Sequence, residues 1–252
     1  MHNWNMSNCK TLQILGIDAA VDPRNTGYAI AHIEGNRCRI LHLATGRRSS
    51  SVVDQICDDM NADLPTLVAL DAPLGWPVGL AELLTHHCAG GPIRADHPFN
   101  RETDRFVREQ TGLKPLDVGA DRIARTAVAA LALVAGLRNR LDRPLPIVEC
   151  PGSASAGGLI EVYPAATLRQ HGLPYRRYKG SSADARTVRC RIAEALDQWI
   201  DLAPDSTQLE ESDHILDAAI CVLSAIDFLA GRCAPPPHEG NWQKEGWIWF
   251  RR

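Results

Sequence analysis

The first quarter of the chain alternates apolar runs with short polar turns, and each run predicts a strand. Leu12 to Asp18 is apolar until it meets a carboxylate, inside the stretch Gln13 to Ala20, Gln-Ile-Leu-Gly-Ile-Asp-Ala-Ala. The chain turns at Asp22-Pro23-Arg24-Asn25 and returns as Gly27 to His32. A second turn at Gly35-Asn36 leads into Arg37 to Ala44, where Cys38, Ile40, Leu41 and Leu43 carry the apolar character. Turns this short predict an antiparallel meander. Ser51 to Met60 has helical spacing, with Val52, Val53, Ile56 and Met60 on one side. Thr66 to Leu70 is a dense apolar run closed by Asp71-Ala72-Pro73. A helix between two buried strands is a crossover, so this fourth strand is expected to lie parallel to the first.

The pattern then changes. Residues 76–150 are expected to be an insertion within a single domain spanning 1–252, because Gly, Pro, His and charge are abundant, as in Gly90-Gly91-Pro92 and Asp96-His97-Pro98. Loops and a short charged helix near Arg101 to Gln110 are predicted there, followed by an alanine-rich helix from Arg122 to Leu141. After the small-residue linker 152–158 comes a late strand, Leu159 to Tyr163, which carries Glu161. Asp184 to Trp199 is amphipathic, and a last helix runs from an N-cap at Ser212 to Leu229. Past Pro235-Pro236-Pro237, the run Trp247-Ile248-Trp249-Phe250 suits an edge strand that pairs with its own sheet or with a second subunit.

Composition narrows the class. The 252 residues, 45% of them hydrophobic, suit one large α/β domain. A net charge of -3 gives no overall basic coat, so any nucleic-acid surface must be a local patch. The eight cysteines show no CxxC pair, which argues against a zinc ribbon or a disulfide framework and for reduced thiols in a cytoplasmic protein. No apolar stretch is long enough to span a bilayer.

Charge placement points to the chemistry. Asp18 and Asp71 end strands that are expected to be parallel neighbours, so their carboxylates fall at the same edge. Asp213 and Asp217 open the last helix four residues apart, on one face. Carboxylates packed together repel unless a cation compensates them. Oxygen-only ligands suit Mg²⁺ or Mn²⁺, and two such ions about 3.5–4 Å apart can drive phosphodiester hydrolysis.

The order of these pieces resembles the ribonuclease H-like fold, a mixed sheet of a three-strand antiparallel meander plus parallel strands, flanked by helices. More narrowly, the chain resembles the domain-of-unknown-function family (number four-twenty-nine) described as predicted nucleases with that fold. The matching pieces are Gly16-Ile17-Asp18, Leu70 to Gly75, Arg101-Glu102-Thr103-Asp104, Leu159 to Pro164, Asp213 to Ala218 and Glu245 to Ile248. Many members carry a His before the late strand's proline and an acid after it; here those positions hold Tyr163 and Ala165. The resemblance implies a metal-dependent nuclease with catalytic Asp18, Asp71, Glu161 and Asp217. Asp18 would bridge two ions, Asp71 and Asp217 would bind one each, and Glu161 or Asp213 would complete the shell or position water.

Each residue also has a plainer reading. Asp18 can cap a turn, Asp213 can favour the helix dipole, Glu161 can pair with an arginine of the insertion, and His214 can be a partly exposed helix residue. Arg101, Arg105 and Arg108, interleaved with Asp104 and Glu109, fit a solvated salt-bridged face or a phosphate site in which Asp104 orients Arg101. Tyr175-Arg176-Arg177-Tyr178-Lys179-Gly180 fits an exposed loop or a single-strand-binding segment with Lys179 on a phosphate. His86-His87-Cys88 with His97 matches no standard zinc spacing. An actin-like ATPase shares the early strands, but Ala19-Ala20-Val21-Asp22 lacks a glycine-rich phosphate turn. A non-catalytic binding module on the same fold predicts that the acids do not converge. No motif reports contacts to a 2′-OH, so DNA and RNA stand together as expected partners.

Overall fold

The computed structural model describes residues 11–202 and 206–252. β1 (Leu12–Asp18), β2 (Gly27–Glu34) and β3 (Arg37–Thr45) form the antiparallel meander, with β2 two residues longer than its apolar run suggests. Helix α1 (Val52–Asp59) is capped by the Ser51 hydroxyl and leads to β4 (Thr66–Asp71), which is parallel to β1 as expected. β5 (Gly158–Val162) and the two-residue β6 (Ile248–Trp249) extend the sheet in parallel, giving the order β3-β2-β1-β4-β5-β6. The terminal aromatic run therefore pairs with its own sheet.

Between β4 and β5 stand α2 (Val78–Thr85), α3 (Glu102–Thr111) and α4 (Ile123–Leu141). Of these, α4 packs against α1, and Ala130, Leu133, Val134 and Leu137 join Leu15, Ile17, Val68 and Leu70 in one core layer. It is thus the crossover helix of the β4–β5 pair. After β5 come α5 (Pro164–Gln170), α6 (Ala183–Leu196), α7 (Thr207–Glu211), α8 (Asp213–Leu229) and α9 (Trp242–Glu245). The hydrophobic pattern leaves α2, α5, α7 and α9 unannounced, since each is too short for a helical period to stand out. α5 starts at Pro164, where a missing N–H costs nothing in the first turn.

α8 is the organising helix. Every residue from Ile215 to Phe228 is buried, as befits a helix covered on all sides. It lies across β1 and β2 on the face that displays Leu12, Ile14, Ala29 and Ala31. Two glycines permit this close approach. A Cβ on Gly16 would stand 2.2 Å from the Ala218 carbonyl oxygen, and one on Gly27 would stand 2.1 Å from that of His214. These clashes are with backbone, so the helix itself would have to move. Overpacking a core costs about 1–3 kcal/mol, and Gly16→Ala is expected to lie at the upper end. Urea unfolding is the check; an unchanged midpoint would contradict the tight α8–β1 seat.

Candidate metal centre

Strand parity and the glycine seat together build the site. In β1, Leu12, Ile14 and Gly16 face α8, so Asp18 does too, and in β4 the same holds for Leu67, Ala69 and Asp71. Asp18 pairs in register with Asp71 across the parallel strands. α8, seated on Gly16, brings Asp217 to the same point. One carboxylate oxygen from each of Asp18, Asp71 and Asp217 lies within 4.8 Å of the others, so the cluster could hold a metal ion. Among the described residues this is the one such group of acids, histidines or cysteines, and the 86–97 histidine segment forms none.

Electrostatics show the strain of the arrangement. Burial raises the Asp71 carboxyl well above its ordinary range, and the neighbouring Asp18 raises it further. Burial likewise lifts Asp217 to about 6, although Lys179 pulls against it. The protein offsets part of this repulsion with its own groups. Lys179 Nζ stands 2.7 Å from Asp217 Oδ2, and the Tyr178 hydroxyl donates to Asp217 Oδ1 at 2.9 Å. Burial holds Tyr178 well above the usual phenol range, so it remains a neutral donor. His214 Nδ1 lies 2.6 Å from Asp18 Oδ2, and that contact raises the imidazole above its ordinary value.

The other expected site residues stand outside the triad, although Glu161, Arg101 and Asp104 line the same cavity as Asp18 and Asp71. Glu161 is not a member of the cluster. It registers with Leu70 rather than with Asp71 or Ala69, so alternation sends its side chain to the opposite face of the sheet. There it is bound by Arg101, through Nη2 to Oε1 at 2.7 Å and Nη1 to Oε2 at 2.8 Å, and it accepts the Leu74 amide. Arg101, in turn, is not a free phosphate ligand. It is 1% exposed, and its remaining N–H groups go to both oxygens of Asp104 and to the Glu245 carbonyl. Asp104 therefore orients Arg101 toward Glu161 rather than toward a substrate. Asp213 is outside the cluster as well, because its carboxylate accepts the Gly180 amide at 2.8 Å. Arg108 is exposed and lines a separate groove with Lys114 and Glu109.

Glu245 is architectural. Its carboxylate caps two helices at once, accepting Val78 N–H at 2.8 Å and Glu102 N–H at 2.7 Å. Gly246 follows with φ 84°, where a Cβ would meet Glu161 Oε2 at 2.8 Å.

Sequence reasoning missed Tyr178; His214 is the partly exposed helix residue expected, but its contact with Asp18 was not foreseen. Both had a signal. His214 stands three residues before Asp217 and so on the same helical face, and Tyr178 precedes Lys179 in the aromatic–basic run.

The cluster opens into a cavity of about 650 Å³. Asp18 and Asp71 line it, and its walls carry Arg122, Arg125, Arg176, Arg177 and Lys179 together with Tyr163 and Tyr175. A larger cavity, about 760 Å³, lies between α2 and the 86–100 loop, away from the acids. Acidic and basic side chains thus line one cavity.

Fold and site together define an α/β protein with a six-stranded mixed sheet and a buried acidic triad at the end of its central parallel strands. The chain belongs to the family described as protein of unknown function (DUF429), whose model matches residues 16–240. No curated protein and no solved structure matches the chain. Among the described residues, no helix is long and apolar enough to cross a membrane.

Proposed function

We propose that this chain is a divalent-metal-dependent nuclease of the ribonuclease H-like class, acting on nucleic acid in the cytoplasm with Mg²⁺ or Mn²⁺. The observation that carries the reading is the convergence of Asp18, Asp71 and Asp217 from β1, β4 and α8, with Asp18 and Asp71 lining an arginine-walled cavity. The donor set fits such an ion. All three ligands are hard carboxylate oxygens, the combination suited to Mg²⁺ or Mn²⁺ rather than to zinc. The seven described cysteines are free thiols, in keeping with a reducing compartment.

Asp18, Asp71 and Asp217 would hold the ion, which when bound supplies Lewis acidity and positive charge at the scissile phosphate. The chain's other groups act around them. Tyr178 fixes the orientation of Asp217 through its hydroxyl. His214 steadies Asp18, and its half-buried ring can take or give a proton there. Arg122, Arg125, Arg176 and Arg177 draw the phosphodiester backbone in. Arg101 and Glu161, which line the same cavity, contribute rigidity by locking β5 to the start of α3.

Titration calorimetry with MnCl₂, followed by incubation with labelled single-stranded DNA, duplex DNA and RNA, tests the reading. Saturable Mn²⁺ binding and cleavage of at least one substrate, abolished by EDTA, are expected. Mn²⁺ saturation with no cleavage of any of the three would leave a binding module in place of a nuclease.

A further inference from the structure

We propose that Lys179 is a displaceable internal counter-ion, which occupies the carboxylate cluster until a divalent cation takes its place and then meets a phosphate of the substrate. The inference rests on the metal-centre reading and adds regulation to it: the site carries its own competitor for the ion.

The geometry separates a fixed backbone from a movable side chain. Tyr178, just before Lys179, is buried and bound to Asp217. The carbonyls of Tyr178 and Gly180 each accept from the buried Arg189 guanidinium at 2.7 Å, and the Gly180 amide donates to Asp213 at 2.8 Å. The peptide on either side of Lys179 is therefore pinned. Its side chain is not: it is 60% exposed, while the carboxylate it contacts is 1% exposed. An ammonium on a flexible stem thus reaches from solvent into a buried acid cluster. Leaving requires only rotation of that stem, with no loop movement. His214 offers no equivalent, because its short side chain rises from the first turn of α8, whose carbonyl packs against Gly27.

Charge makes the exchange reciprocal. Asp217, Asp71 and Asp18 all favour the charged ammonium, so Lys179 offsets part of the repulsion among the three carboxylates. An ammonium and a divalent cation cannot share Asp217 without repelling each other. A cation entering the cluster therefore drives Lys179 toward the cavity it lines, where a phosphate would receive it. By linkage, a bound polyanion that holds Lys179 away from Asp217 raises affinity for the metal. Full ion loading would then be coupled to the presence of substrate.

Titration calorimetry with MnCl₂ on the full chain and on Lys179→Met at pH 8, where protons compete least, tests this. Lys179→Met is expected to bind Mn²⁺ roughly tenfold more tightly or better, within the usual range of coupling between sites. A phosphorothioate oligothymidylate is expected to tighten Mn²⁺ binding more in the wild type than in the variant. Equal or weaker Mn²⁺ binding by Lys179→Met would overturn the exchange and leave the metal centre standing. Binding by neither chain would overturn both. A wild-type measurement covers the case in which the variant fails to fold. The chain has four lysines, so ¹³C-dimethylated lysine NMR resolves Lys179, assigned by its absence in Lys179→Arg. Its signal should move on Mg²⁺ addition; a stationary signal in Mg²⁺-loaded protein would sink the proposal.

Discussion

Asp18→Asn is expected to leave the fold in place and to remove Mn²⁺ binding together with metal-dependent cleavage. Asn keeps the shape of Asp and one carbonyl oxygen, so the strand end and its contact with His214 survive in outline. What disappears is one of the three negative charges that converge there. Asp18 pairs in register with Asp71, and it raises the carboxyls of both Asp71 and Asp217. A cation held by three carboxylates would lose one of them. The ion's electrostatic contribution to phosphoryl chemistry is several kcal/mol, so loss of its seat should lower the rate roughly a thousandfold or more. Circular dichroism and urea unfolding check the fold, and calorimetry with a cleavage assay checks the site. Full Mg²⁺-dependent cleavage by this variant would sink the proposed function. Glu161→Gln supplies the contrast: it should disturb stability while leaving Mn²⁺ binding in place, because Glu161 is bound by Arg101 and stands outside the triad.

Much of this architecture is legible in the residue pattern. The meander, the crossover to β4 and the shared edge of Asp18 and Asp71 all follow from apolar runs bounded by turns, because a period of two and short connections leave few pairings. The choice of Asp217 over Asp213 as the deeper acid also follows from helical position. Glu161 and Arg101 were less transparent, and the reason is register. A shift of one residue between β4 and β5 decides which face Glu161 occupies, and a continuously apolar buried strand does not announce it. Arg101 reaches a partner 60 positions away, which no local spacing records. The seat of α8 was hidden for another reason: Gly16 and Gly27 sit inside strand patterns, where only a close backbone neighbour explains them.

Arg101→Met is expected to cause a large loss of stability, and it separates the structural role from the phosphate-binding role that the Arg101-Glu102-Thr103-Asp104 motif allows. All five N–H groups of the guanidinium are engaged, with Glu161, Asp104 and the Glu245 carbonyl as acceptors. Removing it strands two buried carboxylates. Burial already pushes Glu161 up, with Arg101 the main force holding it down, so the variant must either protonate Glu161 or leave its charge unpaired. Deleting one partner of a buried ion pair costs about 3–5 kcal/mol, which for a domain of this size lowers Tm by roughly 6–20 °C. The damage should spread to α2 and α3, because Arg101 also holds the carbonyl of Glu245, whose carboxylate caps both helices. Adding Glu161→Gln to Arg101→Met should recover part of the loss, since a neutral amide is far less costly to bury than an orphaned carboxylate. Differential scanning calorimetry on the two single variants and the double variant gives the coupling. A phosphate-binding Arg101 predicts the opposite pattern: unchanged Tm in Arg101→Met, a raised KM for cleavage, and no rescue by Glu161→Gln.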